Sequence, residues 1–173
     1  FHAGSWVDLS LSALERPAGH KASSYRAYFG TAIGEADVGR LQNEVRAECH
    51  RAHAPIPVDT GAWDVVLAPA AVAELLSWLG LIAFGSKSVD DGISFIGGHE
   101  GQQVTGDVIT SVDDASMPYD IGVPVPFDTE GQPKRRVPLV EGGVARGIVH
   151  DTNSGRRFGC ASTGHAQCDD VFP

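Results

Sequence analysis

Basic residues are scarce in this chain: 13 Lys and Arg stand against 22 Asp and Glu, a formal net charge of -9. So acidic a chain repels a phosphate backbone. Its two basic runs, Lys134-Arg135-Arg136 and Arg156-Arg157, are too short to line a groove along a nucleic acid. Direct nucleic-acid binding is therefore not expected. Cysteine is scarce too. Cys49, Cys160 and Cys168 are odd in number and lack zinc-site spacing, which argues against a disulfide framework. Reduced thiols in a cytoplasmic protein are the simpler expectation. Long apolar runs are missing. The longest, 72–84, is interrupted by Glu74, Ser77 and Gly80 and is too short to span a bilayer, so no membrane association is expected. The first eight residues have neither the basic nor the apolar region of a signal peptide. Phe1 at the start, and a tail without a closing element, suit a piece of something longer.

What is present is ordinary globular composition. Of the 173 residues, 42% are hydrophobic and 20% charged, enough for a real core. The 21 glycines and 10 prolines favour many turns and short strands over a helical bundle.

The first part of the chain carries two strand signals and one helix signal. Residues 5–11 alternate apolar and polar, as a half-buried strand does, and 22–29 suit a second strand. Over 34–53, Val38, Leu41, Val45 and Cys49 recur at steps of three and four, the stripe of an amphipathic helix. Pro55 and Pro57 stop that helix. Residues 1–57 thus read as the end of a preceding region, and 58–173 as one α+β unit of mainly antiparallel short strands around one packed helix. In that unit Asp64-Val65-Val66-Leu67 reads as a strand. Pro69 opens a helix at the position where its missing N–H does no harm, with Val72, Leu75, Leu76 and Leu79 as the buried face and Gly85 as terminator. Short strands are expected at 93–96, 104–112, 136–141 and 144–150, with Glu141-Gly142-Gly143 as a hairpin turn.

Several residue groups invite a chemical reading. His50 and His53, beside Glu48 and Cys49, share a helix face and could meet one ion, but a structural zinc needs four ligands and no second cluster is spaced to supply them. His99-Glu100 starts like a zinc motif and lacks a histidine one turn later. Ser154, Ser162, His150 and His165 offer parts of a hydrolytic triad without a nucleophile elbow. Asp113, Asp114, Asp120 and Asp128 lack calcium-loop spacing and suit turns. No residue is therefore assigned a catalytic, cofactor-binding or metal-binding role.

Seven blocks carry a more specific signal. They are the run from Val65 to Leu76, Ile93-Ser94-Phe95, Val112-Asp113-Asp114, the run from Pro126 to Arg136, Leu139-Val140-Glu141-Gly142-Gly143-Val144, the run from His150 to Gly159, and Ser162-Thr163-Gly164-His165-Ala166. In order and spacing this set resembles the TldD/PmbA family, once called modulators of DNA gyrase. Residues 31–60 fit it more weakly, and 1–30 by order alone. The resemblance implies the C-terminal-type domain of that family, here incomplete. Active TldD-like members carry an HExxxH zinc motif on the helix after the Val-Val-Leu run. Here Ser77, Trp78 and Ile82 stand at those three positions, and none can hold or activate a metal-bound water. That departure matches the PmbA/TldE-like branch. It implies a non-metal subunit, inactive alone, that works on peptides with a zinc-bearing TldD-like partner. An independent peptide-binding or scaffold domain is the alternative. The family-specific block containing Asp128, Arg135 and Arg136 is expected to be structural, with an arginine satisfying a carboxylate or loop carbonyls.

Overall fold

The computed structural model describes residues 5–16, 19–117 and 125–167. Asp120 and Cys168 lie outside these residues. The chain forms mixed helices and small antiparallel sheets, divided into two compact units between Asp64 and Val65. Among the described residues no helix is long and apolar enough to cross a membrane.

The first unit is a hairpin backed by a helix. Strands β1 (Val7–Glu15) and β2 (Ala22–Gly30) pair antiparallel in unbroken register, from Val7 opposite Gly30 to Glu15 opposite Ala22. The expected alternation holds: Val7, Leu9, Leu11 and Ala13 are half-buried, while Asp8, Ser10 and Ser12 are exposed. Helix α1 (Val38–Arg51) lays Leu41, Val45 and Cys49 on the hairpin, where Cys49 Sγ donates to Ala22 O at 3.4 Å. Polar contacts fix its angle. Arg26 on β2 pairs with Glu44 and Glu48 on α1, and Ser24 Oγ donates to Glu48 Oε2 at 3.0 Å. The helix starts four residues later than its sequence suggests. A 3-10 turn at Ile33–Glu35 comes first, and Asp37 caps the helix by accepting from Arg40 N at 2.8 Å. Val38, placed on the buried stripe by spacing, sits in the first turn and is exposed.

The second unit is built on a small core: Ala83, Phe84, Ile96, Val137, Leu139, Val140, Ala145 and Ile148. Strands β3 (Ser111–Asp113), β4 (Val137–Glu141) and β5 (Val144–Ala145) form an antiparallel sheet in that order, with a register shift between Ser111 and Val112. The β4–β5 turn is the one expected. Gly142 and Gly143 both have positive φ, 57° and 79°, as a type I′ hairpin requires. Gly143 packs against Thr105 and Gly106, where a Cβ would overlap their carbonyl oxygens.

The strand expectations elsewhere are too generous. Residues 93–96 are irregular and end in a bend, 104–110 form a loop, and β5 is two residues long. Glycines and prolines break the ladder faster than β-branched residues extend it. Residues 64–67 form no strand with the described residues, and Val66 is fully open. Helix α2 (Pro69–Ile82) begins at Pro69 as expected, yet none of its residues is buried. Val72, Leu75 and Leu76 face outward, and only Leu79 packs against the core. Among the described residues nothing covers the predicted apolar face. Gly85 does not end α2, which stops at Ile82; it precedes the short helix α3 (Ser86–Asp90). A fourth helix, α4 (Thr152–Phe158), was not expected from periodicity.

Candidate functional site

Helix α2, the segment after it, the end of β3 and the last described residues of the second unit enclose an open groove of about 1140 Å³. Ser77 and Leu81 of α2 form one wall, with Phe84 and Val149 beside them, and Asp113, Lys134 and His165 contribute polar groups.

The groove rim is held by a buried carboxylate. Asp128 is 8% exposed, and its Oδ1 accepts from Glu130 N at 3.0 Å and Gln132 N at 2.8 Å. Its Oδ2 accepts from Ala166 N at 2.9 Å, and Thr129 Oγ1 donates to Ala166 O at 3.1 Å. Burial opposes ionisation of Asp128, but the three amides together outweigh it and hold its pKa below the ordinary carboxylate value. An arginine of this block does meet a carboxylate, as expected, but it is that of Asp114 and not Asp128. Arg136 Nε lies 3.4 Å from Asp114 Oδ2, and Arg135 contributes its backbone amide to Thr163 O at 3.0 Å. A loop that supplies its own amides needs no guanidinium.

Gly164 makes the last turn possible. Its φ is +76°, and a Cβ there would run into the backbone of Pro133 and Lys134. The turn delivers His165 beside β3, with Nε2 2.9 Å from Asp113 Oδ1 and Nδ1 3.0 Å from Thr163 Oγ1. The Nε2–Oδ1 approach is close but lacks the alignment of a hydrogen bond. The neighbouring His165 is the main reason Asp113 is held low; partial burial opposes it and Lys134 assists.

The serine and histidine candidates do not assemble into a triad. Ser154 serves a capping box on α4: Asp151 Oδ1 accepts from Ser154 N at 2.6 Å, and Asp151 N donates to Ser154 Oγ at 3.1 Å. Ser162 Oγ donates to the backbone oxygen of His150 at 3.3 Å, not to its ring. The His150 imidazole packs on Phe158 at 5.2 Å, and its buried Nδ1 has no partner among the described residues. Burial lowers its pKa, with Asp151 acting in the opposite direction.

The other candidates are dispersed. His50 and His53 meet edge to face at 4.7 Å, and His53 Nε2 approaches Glu15, while Glu48 is taken by Arg26. His99 and Glu100 lie in an exposed turn, where Glu100 Oε1 accepts from Gly98 N at 3.3 Å. On α2, Ser77 Oγ donates to Ala73 O at 2.9 Å and Trp78 Nε1 to Glu74 Oε1 at 3.2 Å. Those are ordinary one-turn helix contacts. With Ile82 they do not fit a zinc ion, and no three His, Cys, Asp or Glu among the described residues converge on a point. The Asp113–His165 contact is the feature that sequence reasoning missed. Its only prior signal was that both residues fall in blocks resembling one family.

Residues 60–171 match the family described as the PmbA/TldA metallopeptidase C-terminal domain. Over 103 residues the chain is 34% identical to an uncharacterized protein from Methanocaldococcus jannaschii, covering 60% of this chain and 24% of that one. Its fold is similar to that of TldE from Thermococcus kodakarensis, with TM-score 0.79 and 23% identity over 96% of this chain and 38% of that chain. It is also similar to a structure described as a modulator of a DNA gyrase from Thermotoga maritima, with TM-score 0.82 and 20% identity over 96% of this chain and 38% of that chain. The chain thus spans about a quarter of the length of the curated relative and 38% of these solved chains.

Proposed function

Because the chain belongs to the PmbA/TldA metallopeptidase C-terminal domain family, we propose that it is a PmbA/TldE-like non-metal subunit, or part of one, of a heteromeric peptidase. The zinc belongs to a TldD-like partner, and the substrates are small or unfolded peptides in the cytoplasm. One observation carries this reading: α2 has Ser77, Trp78 and Ile82 where ligands are needed, and its apolar side chains are left open.

Hydrolysis of a peptide bond needs an activated nucleophile and stabilisation of the oxyanion. Ser77, Ser154 and Ser162 bond within helix turns, a cap and a loop, and the His150 ring packs on Phe158. What remains is a groove and an apolar helix. Leu75, Trp78, Leu81 and Ile82 are 53%, 57%, 47% and 46% exposed, a contiguous surface of the kind that marks a protein contact. The partner supplies the metal and this chain supplies shape.

The test is cleavage of an unstructured peptide by each subunit and by their mixture, with a chelator control. Cleavage is expected only where the metal-bearing subunit is present, and more strongly in the mixture. Chelator-sensitive cleavage by this chain alone would overturn the reading. So would a mixture no more active than the metal-bearing subunit, which would favour an independent binding domain.

A further inference from the structure

We propose that the groove of the second unit binds a short peptide by its two charged ends, the α-ammonium at Asp113 and the α-carboxylate at Lys134. This rests on the reading that the chain handles peptides, and it names the chemistry of the site.

The assignment comes from asking which charged groups around the groove are already committed. Of the three carboxylates among its described lining residues, Asp128 is saturated by the amides of Glu130, Gln132 and Ala166. Asp151 is committed to the first turn of α4 through Ser154 N and Oγ. Asp113 differs: its Oδ1 faces His165, no described group donates a hydrogen bond to its Oδ2, and its side chain is 39% exposed. Of the two lysines, Lys87 places Nζ 2.7 Å from both carboxylate oxygens of Asp91. Lys134 has no described carboxylate within ion-pair distance, though it is close enough to Asp113 and Asp128 to favour their ionised forms. Among the described residues one anion and one cation are thus left facing the same space.

His165 positions the anion. Its side chain is 8% exposed, fixed by Thr163 on one ring nitrogen and turned to Asp113 on the other. A carboxylate braced this way loses little freedom when it takes an ammonium. The same groove is also lined by Leu81, Phe84, Val125 and Val149, suited to an aliphatic or aromatic side chain. Uncapped peptides carry all three elements: a positive end, a negative end and apolar side chains.

The experiment is calorimetric or NMR titration of the purified chain with tri- and tetrapeptides containing Leu or Phe. Each is used free, N-acetylated, C-amidated and doubly capped. The free peptide is expected to bind about tenfold more tightly than either singly capped form, since one charged hydrogen bond is lost with each cap. Asp113→Asn should remove the preference for a free amine and leave that for a free carboxylate; Lys134→Gln should do the reverse. Because the caps alter the ligand and not the protein, their effect does not depend on either variant folding. Equal binding of free and capped peptides would overturn the end assignment while leaving the peptide reading in place. Failure of every peptide to bind the folded chain would overturn both.

Discussion

Asp128 Oδ2 accepts the backbone amide of Ala166 at 2.9 Å, joining the turn before β4 to the segment after α4. Two further amides reach its Oδ1, so one side chain closes its own turn and anchors a distant one. Asp128→Ala leaves three donors without their acceptor. The expected loss is about 3 kcal/mol, given roughly 1.5–3 for a hydrogen bond to a charged group and incomplete additivity. Chemical denaturation measures it. A loss below about 0.5 kcal/mol would show that water replaces the carboxylate freely.

His150 sets a pH dependence. Its folded pKa lies below the ordinary histidine value because burial disfavours the imidazolium. Above about 6.5 the ring is neutral in both states and nothing is lost. As pH falls below that value the unfolded chain takes up the proton first, so stability falls until the folded pKa is passed. Denaturant midpoints measured between pH 7.5 and 5 should therefore decrease, and His150→Phe should flatten that part of the curve. Asp113, Asp128 and Asp151 have lowered pKa values and act in a separate window. Their contribution is complete above the ordinary carboxylate range near 4 and disappears as pH falls through their folded values.

The Arg26–Glu48 contact joins β2 to α1, with side chains 29% and 33% exposed. A double-mutant cycle should give a coupling of about 0.5–1 kcal/mol, shrinking in high salt. No coupling at low salt would mean that the helix is held on the hairpin without this pair, by Leu41, Val45 and Cys49 and the remaining polar contacts.

Metal analysis of the purified chain should find no stoichiometric zinc. His50 and His53 are the nearest approach to a ligand pair, but Glu48 is engaged by Arg26. About one zinc per chain, lost in the His50→Ala/His53→Ala double variant, would refute this.

Leu75 and Leu81 on α2 are expected to tolerate polar replacement. Both are about half exposed, so Leu75→Gln with Leu81→Gln should change stability by roughly 0.5 kcal/mol or less per site. The same changes should weaken capture of a metal-bearing partner in co-purification. Unfolding on substitution would instead show that this helix is already covered.

The parts of the fold that were legible share a local cause. Alternation at 5–11 and the stripe of Val38, Leu41, Val45 and Cys49 report burial directly except at Val38, so β1 and α1 follow from pattern. Pro69 marks the start of α2 because it constrains the residues on both sides of it. Periodicity says which side of α2 is apolar, but not whether anything covers it. Helix α4 escaped notice because seven residues are too few for a stripe, although Asp151, Ser154 and Gly159 supply its cap and stop. The site was the least legible part. Asp113 and His165 meet only because Gly164 turns the backbone through a left-handed conformation, and nothing near either residue in the sequence announces the other.

The hairpin at Gly142 and Gly143 also orders events in time. Strands β4 and β5 are joined by a two-residue turn already suited to their twist, and hairpins of this kind form within about 1–10 μs. The bridge from Gly85 to Val149 must instead close a far longer stretch of chain, and it has to wait for the entropy of that loop to be offset by the core around Ile96. Refolding of the second unit should therefore begin near its C-terminal half and work backwards, with Phe84 among the last apolar groups to become shielded from solvent.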